Sequence, residues 1–146
     1  MYLYDYSEYD QADVDEHGLY GYPYLDHYWT EPGRVPLLVR VAGKLAGFAL
    51  VRAIDPQAGA ATHAMAEFFI VRKYRRQGVG RQVARRLFDL FPGDWIVSQE
   101  EGNRPAQRFW RGVIAEYTRG VYTEEQLATD EWHGPRQRFR SRAAEG

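Results

Sequence analysis

Residues 65–80 read MAEFFIVRKYRRQGVG, and this stretch decides the fold. Its first seven residues are apolar except for Glu67, and such a run predicts a strand that is buried on both faces and central to a sheet. Gly78 and Gly80 end the stretch, where an amphipathic helix pattern begins. Glycines let a backbone approach a ligand, and a helix start offers N–H groups and a positive dipole end. The stretch therefore predicts a pyrophosphate-binding loop, and the flanking basic residues that would add attraction are Arg72, Lys73, Arg75, Arg76 and Arg81.

Two common phosphate-binding motifs do not fit this loop. A Walker loop requires Lys and then Ser or Thr after its last glycine, whereas Arg81 and Gln82 follow Gly80. A dinucleotide-binding fingerprint requires a third small residue, and Val83 stands at that position. We therefore expect neither a Walker-type ATPase nor a Rossmann dehydrogenase.

Strands and helices alternate in the prediction for the rest of the chain. The turn Ala42-Gly43-Lys44 lies between two apolar segments, which is typical of a β-hairpin. Pro92-Gly93 ends the helix after the loop, and Pro105 fits the first turn of another helix. In chain order the predicted elements are a hairpin at 35–41 and 45–51, the strand at 65–71, a helix at 79–91, a strand at 95–97, a helix opened by Asn103, and weaker strands near 115–118 and 137–140.

Composition restricts the chemistry available to the chain. Its 146 residues suit one domain, 1–146, and a hydrophobic content of 45% suits a folded core. Cysteine is absent from the sequence, which excludes thiolate nucleophiles, disulfides and cysteine zinc sites. None of the four histidines has the i, i+4 spacing of a helical metal pair. We therefore expect no metal, and we expect catalysis by oxygen and nitrogen groups.

Charge is unevenly distributed along the chain. The first 31 residues contain eight acids and neither Lys nor Arg, so the remainder carries a net charge of +7. A basic body suits a polyanionic cofactor or nucleic acid, whereas the acidic, tyrosine-rich start suits a cation or is a solvated helix face. Nucleic acid is the weaker expectation, because the chain lacks a recognition motif and the acidic start would repel a polyanion. We therefore expect no nucleic-acid partner.

The expected cellular location rests on two features of the sequence, its N-terminus and its hydropathy pattern. The first residues carry neither the basic start nor the apolar core of a secretory signal. No apolar run reaches the length that spans a bilayer. We expect a cytoplasmic protein with no membrane partner.

The loop resembles a motif of the GNAT superfamily of N-acetyltransferases, Q/R-x-x-G-x-G/A. Arg75 stands at the first position, and Gly78 and Gly80 are the two glycines. Residues 103–110, NRPAQRFW, resemble the family's N-x-x-A-x-x-F-Y, with Trp110 in place of the tyrosine. The resemblance covers residues 35–118, and the chain is similar to small bacterial acetyltransferases whose substrates are unassigned.

This resemblance implies an α/β (α+β) fold in which a mixed, mostly antiparallel sheet has helices on both faces. Residues 35–118 would form the acetyl-CoA-binding core, and residues 1–34 an acidic, tyrosine-rich helical segment. The strand with which the family fold begins is apparently absent, because the chain starts directly with the tyrosine-rich segment. That strand would be missing, replaced or encoded upstream.

The resemblance also implies how acetyl-CoA would be held. The pantetheine arm would pair along the central strand and take backbone hydrogen bonds from Phe69 and Val71. Asn103 would bond the same arm and also cap its helix. Backbone N–H groups of residues 77–81 would hold the pyrophosphate. The complete set of expected cofactor-binding residues is Phe69, Ile70, Val71, Arg75, Arg76, Gln77, Gly78, Val79, Gly80, Arg81, Asn103, Ala106, Phe109 and Trp110.

The implied reaction is direct transfer of the acetyl group of acetyl-CoA to a primary amine, of a small molecule or a peptide, in a ternary complex. Glu67 is the candidate general base, and its alternative role is an ion pair with an arginine. Trp110 cannot give the departing thiolate the proton that the family's tyrosine gives, and its alternative role is core packing. A non-catalytic module that senses acetyl-CoA or CoA is therefore the alternative function. The resemblance also allows a homodimer.

Overall fold

The computed structural model describes residues 2–5, 23–29, 33–54, 62–75 and 77–142. The chain divides into two units. The first unit draws on Met1–Arg52 and Ala66–Val83, and the second draws on Ala53–Met65 and Ala84–Gly146. Each unit is therefore built from two separate stretches of sequence. A single domain over residues 1–146 stays a prediction.

Four consecutive strands begin the first unit. They are β1 (Tyr2–Asp5), β2 (Pro23–Trp29), β3 (Arg34–Val41) and β4 (Lys44–Ile54), and each is antiparallel to the one before it. Ala42 and Gly43 join β3 to β4 with φ angles of 52° and 80°, as the two positive-φ positions of a tight hairpin turn require. The predicted hairpin is confirmed.

The expectation of a helical N-terminal segment is wrong where the structure describes it. β1 and β2 both lie within residues 1–34 and pair with each other, with Leu3 opposite Tyr28. Both strands are rich in tyrosine, which favours a pleated strand over a helix, and Pro23 occupies the first position of β2, where a strand tolerates proline. A strand therefore does begin the fold, contrary to our expectation. Residues 6–22 lie outside the described residues.

Buried residues alternate with more exposed ones along the strands of the first unit, and the buried ones form its core. Leu25 of β2 stands opposite Val39 of β3, and both are fully buried. Every second residue of β3 is buried in the same way, as the period of a strand requires. The buried side chains of these strands include Leu25, Val35, Leu37, Val39, Val41, Ala46, Ala49 and Val51.

The central strand is β5 (Thr62–Ile70), the fifth in the hydrogen-bonded order β1-β2-β3-β4-β5-β6-β8-β7. The prediction of a central strand is confirmed, but burial on both faces is wrong for its second half. Ala66, Glu67 and Phe69 are exposed, and Phe69 keeps 48% of its surface accessible. The short helix α1 (Arg72–Arg75) and the long helix α2 (Val79–Leu90) follow β5, as the sequence indicates.

Three strands and one helix dominate the second unit. β6 (Asp94–Ser98) is parallel to the start of β5, with Thr62 opposite Asp94. β8 (His133–Arg140) is antiparallel to β6 and to β7 (Thr123–Ala128). The remaining helix is α3 (Arg104–Thr118). All the registers that the structure gives are antiparallel except that of β5 with β6, so the predicted mixed, mostly antiparallel sheet is confirmed.

The weaker strand expected near residues 115–118 is not a strand. These residues form the last turn of α3, because Trp110, Val113, Ile114 and Tyr117 are buried at helical spacing and hold the helix to its end. The strand expected near 137–140 is the second half of β8. Phe88 of α2 packs edge-on against three aromatic rings of this unit, with centroid distances of 5.0 Å to Trp95, 5.1 Å to Tyr117 and 4.7 Å to Phe139.

Candidate functional site

The end of β5 is tied to β4 through Val71. The Val71 N–H donates to the carbonyl oxygen of Ala46 at 2.6 Å, and the Val71 carbonyl accepts from the Tyr74 N–H at 2.8 Å. The Val71 N–H is thus already used by the fold. This bond directs Val71 toward β4, and its pairing with the pantetheine arm stays a prediction.

Strand geometry then indicates which residues face the other edge of β5. Backbone polar groups of successive strand residues point to opposite edges, so Phe69 faces β4 together with Val71. Phe68 and Ile70 face the edge away from β4. Sequence reasoning named Phe69 rather than Phe68, because an apolar run carries no signal of which edge each residue faces. Binding of the arm by Phe69 stays a prediction. Ile70, which is also expected to bind the cofactor, lies on the edge away from β4.

Arg75 connects α1 to the same edge of β5. Its Nε donates to the carbonyl oxygen of Ile70 at 2.8 Å, and its guanidinium lies 5.5 Å from the centroid of the exposed Phe69 ring. Arg75 is therefore a positioning residue for the strand end as well as a basic residue beside the loop. Arg76, which was expected to bind the cofactor, lies outside the described residues.

The loop between α1 and α2 has the backbone shape that its glycine predicts. The Gln77 N–H donates to the Tyr74 carbonyl at 3.1 Å and closes a turn. Gly78 follows with φ of 76°, in the left-handed region, and α2 begins at Val79. The Gln82 N–H donates to the Gly78 carbonyl at 3.1 Å, and the N–H groups of a first helical turn have no earlier carbonyl within the helix. A helix start of this kind is suited to bind an anion.

Space beside Gly78 fits a bulky anion. A methyl group built on Gly78 would meet no atom of the described residues within 4 Å. The positive dipole end of a 12-residue helix adds to this open surface. Phosphate oxygens could approach the loop backbone here, so the residues present fit a pyrophosphate group.

Gly47 of β4 lets the end of β5 come close. A methyl group on Gly47 would overlap the Phe69 carbonyl oxygen and stand 2.9 Å from the Ile70 Cα. Real Cβ atoms do not approach backbone this closely. The strand that carries the candidate cofactor edge is thus set in place by the absence of a side chain at position 47, a role that sequence reasoning missed because a glycine inside an apolar run gives only a weak signal.

Glu67 lies in an exposed position of β5. The burial on which its role as a base depended is not found. An ion pair, its alternative role, is not found either among the described residues, since no Lys or Arg nitrogen there lies within 4.0 Å of it. Its role as a base stays a prediction.

Asn103 caps α3. Its Oδ1 accepts from the Ala106 N–H at 3.2 Å, and Pro105 occupies the first turn, so the predicted cap is confirmed. Gln107 holds the turn before the cap, because its Nε2 donates to the carbonyl oxygens of Glu100 and Glu101, each at 2.9 Å. Sequence reasoning treated position 107 as unspecified in the motif and missed this contact. Binding of pantetheine by Asn103 stays a prediction.

Trp110 packs in the core of the second unit. It is 6% exposed, and its ring centroid lies 6.4 Å from Phe88 and 5.0 Å from Phe109. Phe109 and Ala106 are half-buried on the same helix. The burial of Trp110 favours its packing role over a contact with cofactor.

His63 is enclosed by aromatic rings. Its ring centroid lies 5.7 Å from that of Phe91 and 5.5 Å from that of Trp95, and its Nε2 lies 3.1 Å from the Pro92 carbonyl oxygen. Burial lowers the pKa of His63, and the hydrogen bond to Pro92 opposes that shift. His63 therefore serves packing of the second unit.

A polar network joins β6, β7, β8 and α3. The buried Gln99 and Gln137 exchange two amide hydrogen bonds, of 2.7 and 3.0 Å. Gln137 Nε2 also donates to Glu124 Oε1 at 2.7 Å, and Arg111 forms a bidentate pair with Glu124 at 2.8 and 3.0 Å. The hydrogen bond from Arg111 lowers the pKa of Glu124, which keeps the carboxylate ionised.

The described residues show neither a metal-binding cluster nor a membrane-spanning helix. Among the described residues, no three His, Cys, Asp or Glu side chains come together as a metal site. The described helices include none that is long and apolar enough to cross a membrane.

Comparison with solved structures places the fold among N-acetyltransferases. Ribosomal-protein-S18-alanine N-acetyltransferase from Escherichia coli matches with a TM-score of 0.52 and 14% identity, over 77% of this chain and 72% of that one. Arabidopsis thaliana Naa50, in complex with the bisubstrate analogue CoA-Ac-MVNAL, matches with 0.52 and 12%, over 71% of each chain. PaiA N-acetyltransferase from Thermoplasma acidophilum, in complex with coenzyme A, matches with 0.55 and 9%, over 74% of this chain and 61% of that one.

Comparison of sequences identifies the family. A search of curated protein sequences gave no significant match. The model of the Acetyltransferase (GNAT) family matches residues 3–113, which include β1, the loop with its two glycines, and Asn103 at the start of α3. The chain belongs to the GNAT acetyltransferase family and is an acetyl-CoA-dependent N-acetyltransferase.

Proposed function

We propose that this chain transfers the acetyl group of acetyl-CoA directly to a primary amine in a ternary complex. The proposal rests on the conformation and surroundings of Gly78. This residue lies between the end of β5 and the start of α2, has a left-handed backbone, and has open space beside it. Backbone N–H groups of the first turn of α2 bind the pyrophosphate, and the positive end of the helix adds attraction. Arg75 holds the end of β5 beside this loop.

The edge of β5 that faces away from β4 binds the pantetheine arm. An extended chain can add to a strand edge through backbone hydrogen bonds, and Phe68 and Ile70 face the edge away from β4. Asn103 Oδ1 is used by the helix cap, which leaves the Nδ2 of that amide as the donor for the arm. Pairing of the arm along β5 fixes the thioester carbonyl in one position, and positioning is a large part of the rate that such an enzyme provides.

The reaction needs no acyl-enzyme. The chain has no cysteine, so a thioester on the protein cannot form. In direct transfer the amine nitrogen bonds to the carbonyl carbon, the carbon–sulfur bond breaks, and CoA leaves as a thiolate that takes a proton from solvent. A thiol has a pKa near 8.5, so the thiolate leaves without a dedicated acid, and Trp110 in place of a tyrosine is compatible with turnover.

Glu67 takes the proton from the substrate ammonium, directly or through a water molecule. An alkyl ammonium has a pKa near 10.4, so at neutral pH the amine must lose a proton before it can attack. Glu67 is the only ionisable residue of the apolar run at 65–71, and it lies beside Phe68, whose backbone faces the proposed cofactor edge. Its exposure allows exchange of the proton with solvent.

The acceptor is a cationic primary amine. The first 31 residues contain eight acids and neither Lys nor Arg, a composition that attracts cations. The proteins of similar fold include one named for the alanine of a ribosomal protein and one in complex with the bisubstrate analogue CoA-Ac-MVNAL. A peptide N-terminus therefore belongs in the substrate panel beside small amines.

Release of CoA thiol with a panel of amines and peptides tests the proposal. Since the protein has no cysteine, a thiol reagent reports CoA alone. We expect thiol release that depends on an amine, an acetylated product by mass spectrometry, and intersecting initial-rate lines. Parallel lines would contradict direct transfer. Binding of acetyl-CoA without product from any amine would instead support the non-catalytic sensor.

A further inference from the structure

We propose that the second unit contains a separate binding site for a small phosphate-bearing anion at the C-terminal end of α3. A cavity of about 450 Å³ lies there, and three of its six lining residues are arginines. The lining residues are Tyr117, Thr118, Arg119, Val121, Arg140 and Arg142. Asn103 stands at the opposite end of the same helix, about 22 Å away for 15 residues at 1.5 Å each.

The arginines around this cavity outnumber their acidic partners among the described residues. Arg142 pairs with Asp89 at 3.6 Å, and both side chains remain nearly half exposed. Arg119 and Arg140 have no acidic partner within 4.0 Å among the described residues, although Asp94 is the neighbour of Arg140 in the β6–β8 register. Three like charges around one cavity repel one another, and a bound anion would relieve that repulsion.

Contacts with Tyr117 hold Arg142 in place. Its guanidinium lies 4.3 Å from the centre of the Tyr117 ring, and its backbone N–H donates to the Tyr117 hydroxyl at 3.0 Å. That hydroxyl donates to Asp89 at 2.6 Å. Burial and this hydrogen bond raise the pKa of Tyr117, so its ring adds no negative charge to the cavity. A stacked guanidinium is suited to fork-like recognition of phosphate oxygens.

Arg119 occupies a backbone position that is unfavourable for an arginine. Its φ and ψ are 56° and 38°, which is the left-handed conformation. At the end of a helix this conformation is usually adopted by a glycine. Gly120 follows with φ of 84°. The chain thus keeps a long cationic side chain where glycine would be less strained, and strained positions of this kind cluster at binding sites.

Pyrophosphate is the probe for this site. Arginine Nε–Hε signals in an NMR titration, assigned from single Arg→Gln variants, should shift for Arg119, Arg140 and Arg142. Pyrophosphate bound at the Gly78 loop would shift the signals of Arg72 and Arg81 instead. The titration therefore reports binding at the cavity and binding at the loop independently, and either proposal can be contradicted without the other. No shift of the three cavity arginines up to millimolar pyrophosphate would overturn the proposal.

Matched variants separate a built site from diffuse charge. Arg140→Gln should weaken pyrophosphate binding at the cavity by roughly tenfold or more, since a hydrogen bond to a charged group is lost. Arg138→Gln changes the same charge on the same strand, but Arg138 pairs with Glu125 and does not line the cavity, so binding should change less than about twofold. Equal loss in both variants would indicate a general basic surface, including one for nucleic acid, and would overturn the proposal.

Arg119→Gly gives the second measurement. Glycine suits the left-handed position, so the thermal midpoint should rise or stay level while affinity for pyrophosphate falls. If the arginines served only to complement the carbonyl groups at the end of α3, the variant would lose stability and Arg140→Gln would keep full affinity. That combination contradicts the site.

Discussion

Arg75 Nε donates a hydrogen bond of 2.8 Å to the carbonyl oxygen of Ile70, and so α1 is joined to the last residue of β5. Replacement by lysine keeps the charge and loses this planar donor. Arg75→Lys should raise the KM for acetyl-CoA about fivefold, equivalent to roughly 1 kcal/mol, with kcat little changed. Arg72→Lys, on the same short helix, should leave KM within twofold. An equal rise in KM in both variants would mean that Arg75 acts only through its positive charge.

Gly78→Glu should weaken acetyl-CoA binding about 100-fold or more. The carboxylate would stand beside the pyrophosphate, and the left-handed backbone would be strained by any side chain. Gly43→Glu is the matched control, because Gly43 has φ of 80° and an equally open surface in the hairpin turn. It should lose similar stability and keep affinity. Calorimetry decides, and normal affinity in Gly78→Glu would remove the loop from the cofactor site.

Glu67→Gln should lower kcat by about 10²- to 10⁴-fold and leave the affinity for acetyl-CoA nearly intact. Part of the rate should return at high pH, where more of the amine is already neutral. Glu131→Gln, another exposed acid, serves as control and should leave kcat unchanged. A kcat equal to that of the parent in Glu67→Gln would move the base to another group, such as Glu100.

Gly47→Ala should lower the free energy of unfolding by about 2 kcal/mol or more, because the new methyl group overlaps the Phe69 carbonyl oxygen. Gly112→Ala is a control of opposite sign. A methyl group there meets no neighbour within 4 Å in the interior of α3, where alanine gains up to about 1 kcal/mol over glycine. Urea unfolding measures both, and equal stability of the two variants would contradict the close approach.

Glu124 should contribute to stability in a pH-dependent way. Its pKa is lower in the folded protein than its ordinary value of 4.5, chiefly through the hydrogen bond from Arg111. The folded state therefore favours the carboxylate, and the contribution is present above about pH 4.5 and lost as pH falls through the lower folded value. Glu124→Gln should be less stable than the parent at pH 7, and the difference should shrink toward pH 3. A difference that stays constant over this range would contradict the linkage.

The sequence predicts the loop and its neighbours well because their signals are local. Gly78 is required by a left-handed backbone, Asn103 and Pro105 by a helix start, and the pair Ala42-Gly43 by a hairpin turn. Each of these residues indicates its conformation without reference to distant parts of the chain.

The errors arise where the answer depends on contacts across the sequence. The edge that Val71 faces is decided by Ala46, 25 positions earlier, and no pattern within the strand records it. β1 and β2 pair with neighbouring strands, and strand preference depends on such partners more than on the segment itself. The tight turn that Gln107 holds and the mutual amide bonds of Gln99 and Gln137 are likewise visible only when distant residues meet.

Each of the two units is assembled from stretches that are not adjacent in the sequence, and this has a consequence for how the chain can be divided. Residues 1–52 find the rest of their unit only after β5 has been made, as the bond between Ala46 and Val71 illustrates. A single cut within residues 55–61 would leave both fragments with unfinished pieces of both units. During synthesis, the first unit therefore stays incomplete until the ribosome has released residues 66–83, the stretch that contains the glycine loop.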